Sequence, residues 1–162
     1  LQLQYIRTAF LKTMSLPAKY LKVKTSTIPN AGKGLFVLVD VPKGTIITEY
    51  VGRKTTWAEV EDDVDNPYIY YIDDDHVIDA KDDVKSFGRY ANDAQGLTRV
   101  PGLRNNAIYY EDGDRVFIKA AKDIPAGSEV LVPYGKDYWR QVKENIKIEQ
   151  AEQKKKASKK QR

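Results

Sequence analysis

From residue 21 onward the chain is a series of short β-prone runs cut apart by Gly and Pro: LKVKTS, GLFVLVD, GTIITEYVG, PYIYYID and HVIDA. Runs this short, with few helical stretches between them, argue against a doubly wound α/β sheet and predict a compact, mainly-β (α+β) body. Two of them are near copies, DVPKGTIITEYVG (40–52) and DIPAGSEVLVPYG (123–135). Each copy has an Asp, an apolar residue, Pro and Gly for a tight turn, and then a β-prone stretch ending at a Tyr. Two strands of similar build would each deliver a phenol, Tyr50 and Tyr134, and the question is whether they deliver them to one place.

Around this body the remaining stretches read more simply. AIYYEDGDRVFIKAA (107–121) alternates on either side of Asp112-Gly113, which predicts a hairpin with a type I′ turn. Residues 53–66 read as one polar helix or loop capped by Thr55 or Thr56. LQLQYIRTAFLKTMSLPAKY (1–20) reads as a helical extension stopped by Pro17. After Trp139 the sequence turns helical, and its last stretch, KKKASKKQR, reads as an unstructured basic tail. The expected organisation is therefore an N-terminal helical extension (1–20), a body (21–139), and a C-terminal helix with a basic disordered tail (140–162).

Composition removes several chemistries. The 162 residues include no Cys and one His, so there is no disulfide framework, no thiolate zinc site and no metal centre to expect. Gly32-Lys33-Gly34 is followed by the strand pattern LFVLV, where a dinucleotide phosphate loop needs a helix start. Asp73-Asp74-Asp75 has the charge of a hard-cation site without the ligand spacing of one. No apolar run approaches a membrane span and no signal peptide opens the chain, so an intracellular protein without membrane contact is expected. Charge is polarised: residues 59–83 carry eleven acids against one base, and 143–162 carry eight bases against three acids. An acidic face would concentrate a basic partner, and the basic tail would favour phosphate or another acidic surface. Tyr is over-used, eleven against four Phe. Each buried phenol needs a hydrogen-bond partner that Phe does not, so strand-end tyrosines point to the lining of a channel.

Taken in order, GKGLF (32–36), TEYVG (48–52), HVIDA (76–80), GRYANDA (88–94), NNAIYY (105–110), GSEVLVPYG (127–135) and DYW (137–139) resemble the SET-domain protein lysine methyltransferases. The resemblance implies a β-clip-like fold of several small curved sheets with a knot-like C-terminal crossing. It also implies an S-adenosylmethionine pocket on one face and a narrow channel for the target lysine on the other, with no metal. A basic protein substrate follows, a histone tail being the family's default, and with it a nuclear location. The basic tail would add a chromatin or nucleic-acid contact.

Carried over residue by residue, Lys33, Gly34 and Leu35 look like the turn that approaches the methionine part of the cofactor. Asn92 looks like the Asn of the family's Asn-His-Ser motif, with Asp93 and Ala94 in place of His and Ser; a backbone contact at Asp93 survives that change. Asn106 looks like the second motif Asn. Trp139 resembles the aromatic that covers the adenine in members without a zinc-bound C-terminal segment. Tyr50 and Tyr134 match the two channel tyrosines, Tyr134 being central and next to the cofactor. Val132 occupies a position that often sets the number of methyl groups and can do neither of the jobs required there; Tyr109 is expected to do this instead. Two other readings stay open at this level: an inactive SET-like interaction module, supported by Asp93-Ala94, and a nucleic-acid module using the tail.

Overall fold

The computed structural model describes residues 14–63 and 65–160, and in it the short runs form eight strands in three small antiparallel sheets. Strands β1 (Leu21–Thr25) and β2 (Lys33–Val37) make a two-stranded ribbon. Strand β8 (Arg115–Ala120) is central in a second sheet between β3 (Ile46–Glu49) and β7 (Ala107–Asp112). Strand β6 (His76–Asp79) is central in the third, between β4 (Arg53–Thr55) and β5 (Ile69–Asp73). A main core is formed by Leu35, Val37, Ile47, Ile118, Val130 and Val132. A second cluster of Tyr50, Ile78, Ala80 and Val116 contains members from both three-stranded sheets.

The doubled stretch is a pair in space. Val41 and Ile124 bridge antiparallel, each donating its N–H to the other's carbonyl at 2.8 Å. Asp40 Oδ1 accepts the Ala126 N–H and Asp123 Oδ1 accepts the Lys43 N–H, both at 2.8 Å, so each aspartate caps the other copy's turn. Gly44 and Gly127 close the two turns at φ 87° and 84°, a region open to glycine and strained for other residues. From this common base the copies diverge: the first continues into β3 and reaches Tyr50. The second runs as Glu129–Val132 between β2 and the Asn92 segment, through Val130 N–H to Leu35 O at 2.7 Å and Val132 N–H to Asn92 O at 2.8 Å. The pairing of Asn92 with Leu131 is parallel.

Four expectations need correction. The hairpin turn is centred on Gly113-Asp114, one residue later than expected, with Asp112 opposite Arg115. Positive φ falls on Gly113 alone of the pair, the signature of a type II′ rather than a type I′ turn. Residues 53–66 are not one helix or loop: Arg53–Thr55 pairs with Asp79, Ile78 and Val77 as β4, and one helical turn, Trp57–Val60, follows with Thr56 as its N-cap residue. In the N-terminal region, residues 14–16 have no regular structure and Pro17 precedes a 3₁₀ turn (Ala18–Tyr20) rather than stopping a helix. The rest of that expected helix, residues 1–13, lies outside the described residues. Lastly, the described part of the basic tail, expected as disordered, lies in a single helix, Lys136–Lys160, and residues 161–162 lie outside the described residues. Its Lys, Gln, Glu and Ala are all good helix formers, and no Gly or Pro interrupts them. Among the described residues no helix is long and apolar enough to cross a membrane.

Candidate functional site

One cavity of about 1010 Å³ gathers most of the unusual residues of the sequence. Its wall includes Tyr50, Tyr68, Tyr70, Tyr109, Tyr134 and Tyr138, together with Asn92, Asp93 and Trp139. The two phenols of the doubled stretch therefore do meet at one site. Tyr50 is placed by its N–H bond to Val116 O and by its hydroxyl, which donates to Tyr68 O at 2.9 Å. Tyr134 donates its hydroxyl to Ala91 O at 2.7 Å. Tyr109 stands edge-on to both Tyr50 (6.0 Å) and Tyr70 (4.9 Å between ring centroids). Its neighbour Tyr110 points away, toward Phe117 and Lys119, as strand alternation requires.

Burial raises the pKa of the Tyr50, Tyr109 and Tyr134 phenols, since a phenolate would be stranded among rings and carbonyls. At Tyr50 the Arg89 guanidinium opposes that shift without cancelling it. Tyr70 is raised by burial and by the hydrogen bond it donates to Glu111. All four are neutral hydroxyls at physiological pH. They can donate and accept hydrogen bonds, and they are not bases.

Two buried carboxylates organise the segments around the cavity. Glu129, which is 4% exposed, accepts from Ser26 Oγ (2.7 Å), Thr27 N (2.7 Å), Thr27 Oγ1 (2.5 Å) and Asn92 Nδ2 (3.1 Å). Asn92 Nδ2 also donates to Lys33 O at 2.9 Å. The amide is thereby fixed, and what it offers a ligand is its carbonyl oxygen. Asp93, 5% exposed, accepts from the Tyr134 N–H at 2.9 Å and the Trp139 indole N–H at 2.7 Å through Oδ2. Trp139 stacks on Tyr134 at 5.7 Å and 12°.

The turn expected at Lys33, Gly34 and Leu35 lies earlier. The cavity is lined by Asn30, Ala31, Gly32 and Lys33, with positive φ at Asn30 (66°) and Gly32 (73°). Gly34 and Leu35 are already in β2 and do not line the cavity: Leu35 points into the core, and Gly34 lies against Glu129. Asn106 is also outside it, bonding Glu129 O and the Leu131 N–H as a clamp on the Tyr134 segment. Val132 is fully buried in the core.

Four lining residues have no individual role from sequence: Tyr68, Tyr70 and Tyr138, expected only as part of a tyrosine-lined channel, and Arg89. Arg89 lies 3.8 Å over the Tyr68 ring and donates to the carbonyls of Ala80 and Lys81. The excess of tyrosine was the available signal for the first three. Both Tyr70 and Tyr71 line the cavity, and nothing in the spacing shows that Tyr70 packs against Tyr50 and Tyr109 while Tyr71 is half exposed and packed edge-on to Trp57.

The SET-domain family model matches residues 32–135, well over half of the chain. The chain belongs to the SET-domain family, whose members are generally protein-lysine methyltransferases that use S-adenosylmethionine. The cavity suits that cofactor on its own terms. Its size is at the upper end of small-molecule sites. Its lining also combines two kinds of chemistry: a fixed amide carbonyl, a glycine-opened turn and an indole face, together with several phenols. Among the described residues no group of acidic or imidazole side chains could hold a metal ion.

Proposed function

We propose that this chain is an S-adenosylmethionine-dependent protein-lysine N-methyltransferase, acting on a basic, flexible protein segment such as a histone tail. The observation that carries the reading is the convergence of Tyr50, Tyr109 and Tyr134, from three separate parts of the chain, on one cavity that Asn92 and Trp139 also line. The parallel run of the Asn92 and Leu131 segments supports the knot-like crossing expected of the family.

Bound against Lys33, Asn92 and Trp139, the cofactor would supply an electrophilic methyl group on a sulfonium sulfur. The protein's part is to present a neutral amine. Removing the proton from a lysine of pKa ~10.4 at pH ~7 costs about 4–5 kcal/mol. An aromatic channel lowers that cost by disfavouring the ammonium. No side-chain base is needed, which agrees with phenols at Tyr50, Tyr70, Tyr109 and Tyr134 that are held neutral. Tyr hydroxyls and nearby carbonyls can accept weak C–H···O contacts from a polarised methyl, and the rings exclude water.

The pH profile follows from the sign of these shifts. The phenols are raised, so they stay protonated past the ordinary tyrosine range, while the substrate amine loses its proton as pH rises. Single-turnover rates are expected to climb between pH ~7 and ~10 with no falling limb from tyrosine. A rate maximum near neutrality would contradict the assignment of these phenols.

Tyr109 is the residue expected to limit product. Its ring packs edge-on to Tyr50 and Tyr70, the position from which a phenol narrows the room around the amine. Tyr109→Phe is expected to shift the product of a lysine peptide toward higher methylation states with little loss of the first transfer, read by mass spectrometry. An unchanged distribution would exclude Tyr109 from this role.

The acidic stretch borders the cavity through β5, whose Ile69, Tyr70 and Tyr71 are lining residues. Several of its acids are already paired internally, Asp63 with Lys81, Asp79 with Arg53 and Asp73 with His76. Neutralising Asp73, Asp74 and Asp75 together is expected to raise the KM for a basic peptide several-fold at low salt and less at high salt. A salt-independent effect would reduce this segment to a solvated loop. A nuclear setting, with the Lys-rich end of the C-terminal helix contacting chromatin, fits the same reading.

The test of the function itself is incubation with isotopically labelled S-adenosylmethionine and mixed histones. Label in a histone band is the expected result. Cofactor binding without transfer would assign the chain to the inactive interaction module instead.

A further inference from the structure

We propose that Asp93 is a positioning residue that seats Trp139 and the Tyr134 segment as one unit, so that the Asp in the motif and the Trp after the last strand are two halves of a single device. This rests on the methyltransferase reading for its consequence, while its geometry stands apart from it.

The Asp93 carboxylate has no capacity left for a ligand. Oδ2 accepts from the Tyr134 backbone N–H and the Trp139 indole N–H, and Oδ1 accepts from the Gln95 N–H and Asn105 Nδ2, both at 2.8 Å. Asn105 Oδ1 in turn accepts the Ala94 N–H at 2.9 Å, which fixes the orientation of its amide. Every donor around the carboxylate is therefore committed, and a neutral amide at this position would bring an N–H up against another N–H on one side or the other. The rest of the seat is steric. A Cβ on Gly96 would come within 2.6 Å of the Trp139 ring, so only glycine lets the indole edge settle on this turn. Tyr134 supplies the stacked face opposite. Asp93, Gly96 and Tyr134 thus hold Trp139 by a hydrogen bond, an edge contact and a ring face. Because one carboxylate oxygen also holds the Tyr134 N–H, the covering indole and the central phenol are oriented by the same atom.

A carboxylate that merely stabilised the fold would be expected to act independently of the indole; a seat acts through it. The experiment is a set of three variants, Asp93→Asn, Trp139→Phe and the double variant, with two readouts. The first is the indole Nε1–H resonance in a ¹H–¹⁵N NMR spectrum, assigned by its loss in Trp139→Phe. The second is the affinity for S-adenosylmethionine by calorimetry. In Asp93→Asn the Trp139 indole resonance is expected to move toward that of a solvent-exposed indole, while the Trp57 resonance stays in place. Each single variant is expected to weaken cofactor affinity by tenfold or more, and the double variant by no more than the weaker single variant alone. An unmoved indole resonance, or losses that multiply in the double variant, overturns the proposal. If Asp93→Asn fails to fold, Trp139→Phe decides: it keeps a smaller aromatic face and removes the tethered donor, so undiminished affinity overturns the seat. An indole shift in Asp93→Asn together with a wild-type chain that binds no S-adenosylmethionine refutes the methyltransferase reading and leaves the positioning role intact.

Discussion

Tyr134→Phe is expected to lower every methyl transfer by roughly two orders of magnitude, on the scale of losing one preorganised polar group at a reacting centre. The ring keeps its stacking on Trp139 at 5.7 Å and its edge contact with Tyr138 at 5.0 Å, so the cavity wall survives. Only the hydroxyl is lost, and with it the donor to Ala91 O. That carbonyl is left without this partner, at a cost to stability of about 1 kcal/mol. A variant with near-normal melting behaviour and cofactor affinity but little turnover is therefore the predicted phenotype, separable by calorimetry and single-turnover kinetics. Retained turnover would remove Tyr134 from the reaction. The contrast with Tyr109→Phe matters, because both changes delete one hydroxyl from the same cavity and are expected to do different things.

Gly34→Ala is expected to be the most damaging conservative change to the fold. A Cβ there would lie 2.1 Å from Glu129 Oε1 and 2.8 Å from its Cδ. An exposed glutamate would swing away at little cost, but this one is gripped by Ser26, both donors of Thr27 and Asn92. Moving it strains the backbone packing and leaves several part-buried donors without their acceptor, so a loss of about 3 kcal/mol is expected. For a chain of this size that is roughly 6–12 °C in Tm. Because Asn92 is one of the four groups, the surviving folded fraction is expected to bind S-adenosylmethionine more weakly as well. A variant as stable as the parent would mean that Glu129 is free to move and that the Asn92 tether is incidental.

What could be read from sequence was whatever depends on local pattern or ordered motifs. The strand runs, the paired Tyr50 and Tyr134, the position of Asn92 and the alternation that separates Tyr109 from Tyr110 all belong to this class. What could not be read depends on partners distant in the chain. Glu129 looks like a routine acid in a strand until Ser26, Thr27 and Asn92 converge on it. Asp93 looks like a departure from a motif until the indole N–H of Trp139 is found on its carboxylate. Nor does sequence alone show that Asp40 and Asp123 cap each other's turns, although the duplication hinted at a relation. The C-terminal segment was misjudged for a different reason. Low complexity and high charge resemble disorder, yet residues 136–160 contain no helix breaker and lie in one continuous helix. That the cavity is lined by the turn Asn30–Lys33, and not by Lys33–Leu35 as expected, is a matter of register: β2 begins at Lys33, so the freedom of φ is needed before it.

The central claim is that this cavity transfers a methyl group to a lysine amine. The measurement that tests it most directly is mass-spectrometric identification of the residue modified when the purified chain, S-adenosylmethionine and a lysine-containing basic peptide are incubated together, with Tyr134→Phe run in parallel. The account predicts Nε-methyl-lysine in the wild-type reaction and its near absence with the variant. Unmodified peptide with a chain that is folded and binds the cofactor, or equal methylation by the variant, would contradict it.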